Sequence, residues 1–563
     1  MKNAWLFCSL LACGVLTACS GGGSGSSSSG PPSLSIAPGS ISVPAGETQQ
    51  FTATSNAGSV SSVTWEVNGT AGGNSTIGTI SSGGLYAAPA QVPTPEPITV
   101  TALSNGVTAT ASLTVTYSQA SLQGTYMAGF TELAGAQGTN VIGYFDFDGQ
   151  GNVSGTVDVN SSTAGVLSGV AITGHYAVNP DGSGTLSMDA GAAGSFNFDV
   201  TLAASGIFAI TDATGGKIVA TFWVPQASVQ GVTSVAPGTY ILTYGGIPLG
   251  PQGVGAVTVT GNQLTVQELD EHNSGNGVSI HETALPGSYS AITNGRGTFS
   301  YTDAQGVHNF VMYAMPGGDF QIMSLDTGML LDGSLGLQSA TSLPTSGVAV
   351  ATAGGVDAAS NPDILLAQTN LATLTYMGSE NDNGLVTNVS GTGTAQSTDT
   401  YGRGQLTIPT NSGLRNFVYY VETANQIDLL ETDTLGNLSG GMLIPAAQEV
   451  PIGQGNYVLA GGFYAANSLT PNTLMATLNI SSITQITGTE TLNTGGTLST
   501  ASVSGTLSFG NNGGMLTLNL SNGITQHFMV LGYNQFIFTL LGEDPSNISV
   551  AALIAQYFAT PAS

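Results

Sequence analysis

Two clusters have residue types and spacings that chemistry could use. Asp146-Phe147-Asp148-Gly149-Gln150-Gly151-Asn152 alternates side-chain oxygens around glycines, as the start of a calcium loop does, because a hard cation needs several oxygens converging on one point. The closing bidentate glutamate is missing and strand-like segments flank the loop, so an Asp-Gly hairpin explains it better. Glu268, Asp270, Glu271, His272, His281 and Glu282 offer the donors of a hard or borderline metal site. No His-Glu-x-x-His spacing accompanies them and no helix signal would hold one, which favours a solvated acidic strand and loop. Nucleophilic catalysis finds little support, since no Gly-x-Ser-x-Gly elbow occurs and the five histidines are scattered. His175, His308 and His527 fall on or beside repeated strands, where a half-buried structural role is the default. Among the many acids no pair stands out for glycoside hydrolysis, and the glycines punctuate hairpins without opening a helix that carries a lysine. No catalytic residue, metal ligand or cofactor is assigned on these grounds.

Covalent lipid chemistry is the one reaction the sequence marks. Lys2 gives a positive start, residues 5–16 an apolar core too short for a permanent span, and Leu16-Thr17-Ala18-Cys19 a small-residue cleavage site. Those four residues resemble the lipobox of bacterial lipoproteins. The resemblance implies that residues 1–18 are a lipoprotein signal peptide and that Cys19 becomes the lipidated N-terminus, anchoring the protein in the cell envelope at the outer membrane or cell surface. Leu10-Leu11-Ala12-Cys13 is a weaker second box that would leave an apolar stub ahead of the linker. With Cys8 and Cys13 removed and Cys19 lipidated, no thiol is left for a disulfide, a metal or a nucleophile.

Charge narrows the partners. The 563 residues carry 5 Lys+Arg against 32 Asp+Glu, a formal net charge of −27, and beyond Lys2 the cations are Lys217, Arg296, Arg403 and Arg415. Nucleic acid needs many phosphate contacts, so this sequence excludes it, and a polybasic membrane patch falls with the same count. No apolar run after Cys19 reaches the length of a spanning helix, which makes the lipid the expected membrane link.

Residues 19–32 read as a flexible Gly/Ser linker. Residues 33–117 alternate apolar and polar side chains in short runs between turn signals, as a β-sandwich does. The segments Val43-Pro44-Ala45-Gly46-Glu47-Thr48-Gln49-Gln50-Phe51 and Gly84-Leu85-Tyr86-Ala87-Ala88-Pro89, with Trp65 on its strand, resemble the landmarks of bacterial Ig-like domains. That likeness implies a spacer or adhesion module in which Trp65 plugs the core in place of a disulfide.

Four diverged repeats follow, at 121–228, 234–339, 346–446 and 451–560. Gly124-Thr125-Tyr126, Gly238-Thr239-Tyr240 and Gly455-Asn456-Tyr457 open three of them, and a mid-unit glycine hairpin precedes Phe196, Phe310, Phe417 and Phe528 in turn. A period near 110 residues is too long for a propeller blade and suits a whole domain. Eight short strands joined by hairpin turns favour an up-and-down barrel, because closure removes exposed edges; a sandwich of the same strands is the alternative. The sequence therefore predicts an all-β chain, an N-terminal Ig-like β-sandwich followed by about four tandem antiparallel up-and-down β-barrel-like repeats standing in a row. The function expected of it is noncatalytic adhesion or partner binding, to a glycan or a protein. A carrier of small apolar ligands inside lipocalin-like barrels, or a secreted hydrolase, would be the alternatives.

Overall fold

A computed structural model describes residues 32–558 except 57–59, 61, 94–95, 135–136, 204–207, 213–219, 226–231, 247–249, 274–277, 412, 435, 444–451, 469–471, 511–512, 533–536 and 545–547. The chain is all-β. Glycine-rich turns and period-two alternation leave the backbone of the described residues no use for a helix beyond two 3-10 turns, at Gln119–Ser121 and Gly191–Ala193. Cys19 and the linker lie outside the described residues.

The N-terminal part is a sandwich of a five-stranded and a four-stranded sheet, with a further strand pair, Leu34–Ala37 against Thr52–Ser55. Trp65 sits in its core beside Phe51, ring centroids 6.4 Å apart. Gly84 (φ +82°) is required there, because a Cβ would fall 2.8 Å from the Trp65 ring. From the sequence little core is expected to pass the junction near Tyr117. The structure instead docks the sandwich on the first repeat: Val92 packs against both cores, Ser118 Oγ donates to Ala45 O at 2.7 Å, and Tyr117 N donates to Pro180 O at 3.2 Å.

Each repeat is built from consecutive antiparallel strands around its own core. The first, second and fourth are closed eight-stranded barrels. Phe196, Phe310, Phe417 and Phe528 all point inward and are at most 2% exposed. Their strand neighbours alternate as expected, Phe196, Phe198 and Val200 being buried while Asn197 and Asp199 are half-exposed.

The third repeat departs from the expected closure. It is a nine-stranded sheet whose two edges, Leu385–Thr392 and Thr394–Ala395, are consecutive pieces of one strand broken at Gly393. The circle closes through the covalent chain at that glycine instead of through a continuous ladder. Pro409, on the strand facing the gap (Arg403–Thr410), has no N–H to offer across it.

The larger difference concerns arrangement: the four units do not stand in a row but close into a ring. Val311 and Tyr313 of the sixth strand (Val307–Ala314) and Met323 of the seventh (Phe320–Ser324) of unit 2 pack on Met127 of the first strand (Gln123–Ala134) and Ile142 of the second (Gln137–Asp148) of unit 1. Val418, Tyr420 and Leu430 of unit 3 repeat this on Ile241, Val254 and Ala256 of unit 2. Met529, Leu531 and Leu541 of unit 4 repeat it on Val350, Ile364 and Leu366 of unit 3. Closure comes where Val458, Ala460 and Met475 of unit 4 meet Ala203 of unit 1, and the unit-1 strands Phe208–Asp212 and Ala220–Pro225 lie along Asn472–Ser482 and Gly455–Tyr464. A head-to-tail contact made three times by the sixth and seventh strands, and a fourth time by the seventh and eighth of unit 1, thus ends on itself, as heterologous contacts do when their rotation closes.

Two outcomes follow. Phe417→Ala should cost about 3–5 kcal/mol, the usual loss for a buried aromatic, measured by denaturant titration. Because each unit is held on two sides, the four units should melt together in one calorimetric transition; separately resolved repeat transitions would contradict the coupling.

Candidate functional site

Asp148 already satisfies its own turn. Its Oδ1 accepts from Gln150 N at 2.7 Å and Asn152 N at 2.9 Å, and its Oδ2 from Asn152 Nδ2 at 2.6 Å. The Asn152 side-chain bond first, then these backbone bonds, hold the carboxyl below its usual range. The loop is the Asp-Gly hairpin that the sequence favoured.

The acidic cluster at 268–282 is split by strand alternation. On Gln263–Asn273, Asp270 and His272 face unit 3 while Glu271 faces the barrel interior and accepts from Tyr244 Oη at 2.6 Å. Among the described residues no three His, Cys, Asp or Glu side chains converge as metal ligands. The cluster is no solvated strand either, since Asp270 and His272 are buried. The other histidines pair locally: His175 with Asn152 at 3.0 Å, His308 with Asp303 at 2.7 Å, and His527 with Asp544 at 3.0 Å.

What the structure does bring together is a three-residue clasp, made twice. Arg296, in the glycine hairpin of unit 2, grips Asp158 of unit 1 through Nε at 2.6 Å and Nη2 at 2.7 Å, and Tyr313 Oη donates to the same carboxylate at 2.6 Å. One junction on, Arg403 grips Asp270 through Nε at 2.7 Å and Nη2 at 2.8 Å, with Tyr420 Oη at 2.7 Å. A bidentate guanidinium–carboxylate pair is directional, so each clasp sets the register of one barrel on the next. The side-chain hydrogen bond to Asp158 raises the Arg296 pKa, and that to Asp270 does the same for Arg403. Among the described residues the other junctions show no such clasp. Ser183 of unit 1 and Gly513 of unit 4 stand in the arginine's place in the hairpin, and between units 3 and 4 Asn381 Nδ2 donates to Gly542 O at 2.7 Å and Ser379 Oγ to Glu543 Oε1 at 2.7 Å.

The sequence marks Asp270 as a candidate ligand and not as half of an inter-unit pair, although a signal for the clasp exists. Both arginines follow the hairpin glycine, and both tyrosines come three residues after a marker phenylalanine.

A further charged group lies inside unit 3. Arg415, 1% exposed, pairs with Asp363, with Glu380 at 2.7 Å and with Glu431 at 2.8 Å. Burial pushes the Asp363 and Glu431 carboxyls up to about 7 even though the guanidinium pulls them down. The apolar remainder of that interior, lined by Leu365, Tyr376, Leu406 and Phe417 among others, keeps a void of about 20 Å³, room for one water. Such a filled interior counts against an apolar ligand inside unit 3.

No family model matches the chain, and no curated protein does. Among solved structures it is similar to a double mutant of the vaccine antigen transferrin binding protein B from Haemophilus parasuis, at 8% identity and a TM-score of 0.17, over 64% of this chain and 83% of that one. A likeness of that size carries no argument about partner or mechanism.

Arg403→Ala leaves Asp270 buried without its cation, which should cost about 3–5 kcal/mol, and Arg403→Lys should recover only part because it loses the fork. The check is denaturant unfolding of both variants. A pH dependence follows from Glu422, buried at the unit 2–3 junction, whose carboxyl burial lifts from 4.5 to about 8. A carboxyl raised on folding binds its proton more tightly in the native state, so its stabilisation is complete below pH 4.5 and is lost as pH rises to about 8. The melting temperature should fall across that window, and Glu422→Gln should flatten the slope; an unchanged slope would contradict the assignment.

Proposed function

We propose that the protein is a lipid-anchored, noncatalytic component of the cell envelope, probing its surroundings with a rigid four-barrel ring held off the membrane by the N-terminal sandwich. The ring is the observation that carries this reading. A chain that builds an apolar core in each repeat and places two of its buried ion pairs at junctions is built to hold outer surfaces in a fixed relation. Several weak contacts on one rigid body add as avidity, since the second contact is made at a high effective concentration. The partner is a glycan or a protein outside the cell. With three of its four cations beyond the leader, Arg296, Arg403 and Arg415, already paired with buried acids, the ring has little to offer nucleic acid or anionic lipid. Membrane attachment then falls to the lipid on Cys19, and the sandwich serves as an Ig-like spacer.

Cys19→Ser should abolish incorporation of a fatty-acid analogue and release the protein from the envelope fraction. Undiminished label in the variant would refute the anchor. The binding role is checked by cross-linking the anchored protein on intact cells: a reproducible surface partner is expected, and recovery of the protein alone from every condition would count against it.

A further inference from the structure

The junction between units 4 and 1 differs from its counterpart between units 1 and 2 in one respect with a chemical consequence. At the latter, Tyr144 plugs the space beside the hairpin of unit 2, its hydroxyl donating to Ala314 O at 2.8 Å, and a Cβ on Gly295 would collide with its ring. Tyr144 is cross-strand from Met127, and Met127 follows the opening Gly-Thr-Tyr of its unit. In unit 4 the residue after the opening Gly-Asn-Tyr is Val458, and its cross-strand partner is Thr477. A threonine therefore stands in the place of the plug, and in the facing hairpin of unit 1 Ser183 stands in the place of Arg296.

A cleft of about 260 Å³ lies where unit 4, unit 1 and the last strand of the sandwich (Val107–Thr116) meet. Thr114, Thr116, Asp181, Asn456, Thr477 and Asn479 line it with hydroxyls, amides and one carboxylate, and Val115, Pro180 and Leu478 add apolar surface. Two of the polar groups are fixed in direction: Asn479 Nδ2 donates to Asn456 Oδ1 at 2.6 Å, and Asp181 Oδ1 accepts from Ser183 N at 3.0 Å and Ser183 Oγ at 2.7 Å.

We propose that this cleft binds neutral carbohydrate, one or two sugar rings of a glycan. The deduction rests on the partner-binding reading above and names its ligand. A mixed set of donors and acceptors suits hydroxyls, which do both; the apolar patch suits the C–H face of a sugar ring. Among the described residues no cation lines the cleft to hold a phosphate, sulfate or sialic carboxylate, and a net charge of −27 repels anions at long range. The volume lies just below the roughly 300–1,000 Å³ of drug-sized pockets, which fits one or two rings.

The whole protein in detergent micelles, applied to an array of neutral, sialylated and sulfated oligosaccharides, should retain neutral structures, and titration with the best of them should reach saturation. Asn479→Ala and Asp181→Ala should each weaken that binding at least tenfold. Thr477→Tyr, which rebuilds the plug of the first junction, should abolish it while the melting temperature holds. Should the tyrosine variant not fold, the two alanine variants decide. Binding confined to acidic sugars, binding that survives these substitutions, or no sugar binding at all overturns the proposal. Capture of a surface protein in the absence of sugar binding would overturn the carbohydrate assignment while leaving the partner-binding reading in place.

Discussion

The rest of the structure depends on one kind of contact: the outer face of the first and second strands of one barrel against late strands of the next, the sixth and seventh at three junctions and the seventh and eighth at the fourth. Barrel strands ordinarily bury only their inward side chains, and here two pairs of strands per unit bury both. That supplies apolar area between units, but apolar area alone has no direction. Direction comes from the Asp158–Arg296–Tyr313 and Asp270–Arg403–Tyr420 clasps, whose planar forks accept little rotation. Asn381 and Ser379 add oriented hydrogen bonds where units 3 and 4 meet, and among the described residues Ala203, Val458, Ala460 and Met475 pack together at the last junction.

This explains an otherwise odd use of charge. A chain so poor in cations places the three arginines among its described residues in buried acid pairs, two at junctions and one inside unit 3. Desolvating an ion pair is costly unless geometry is good and the remaining donors and acceptors are met, which favours such pairs where they specify an arrangement. The carboxylates that have no cation show the cost: Glu422, and Glu490 beside Gln526, are driven toward their neutral forms by burial. Mildly acidic surroundings therefore favour the assembled ring.

Strands, turns and repeats were legible in the sequence because they are local. Alternation placed the four marker phenylalanines inside, and Asp-Gly and Asn-Gly pairs marked the hairpins. Ring closure was not legible, since it joins residues hundreds of positions apart. Its trace lay in strands that break the alternation. Ile364-Leu365-Leu366, Val418-Tyr419-Tyr420 and Met529-Val530-Leu531 are apolar at every position because both of their faces are covered, the pattern usual for strands buried between layers. Asp270 looked like part of a solvated acidic run for the opposite reason: nothing in its neighbourhood of sequence shows that Arg403 will cover it. The break at Gly393 was hidden too, one glycine among 80.

The most direct measurement of the central claim is the distance between units 1 and 4 in the intact chain, read by pulsed electron resonance from spin labels at Asp181→Cys and Asn479→Cys, which line the same cleft from opposite sides. A closed ring gives one narrow, short-distance population. A row, in which units 2 and 3 intervene, gives a long or broad distribution and would contradict the account.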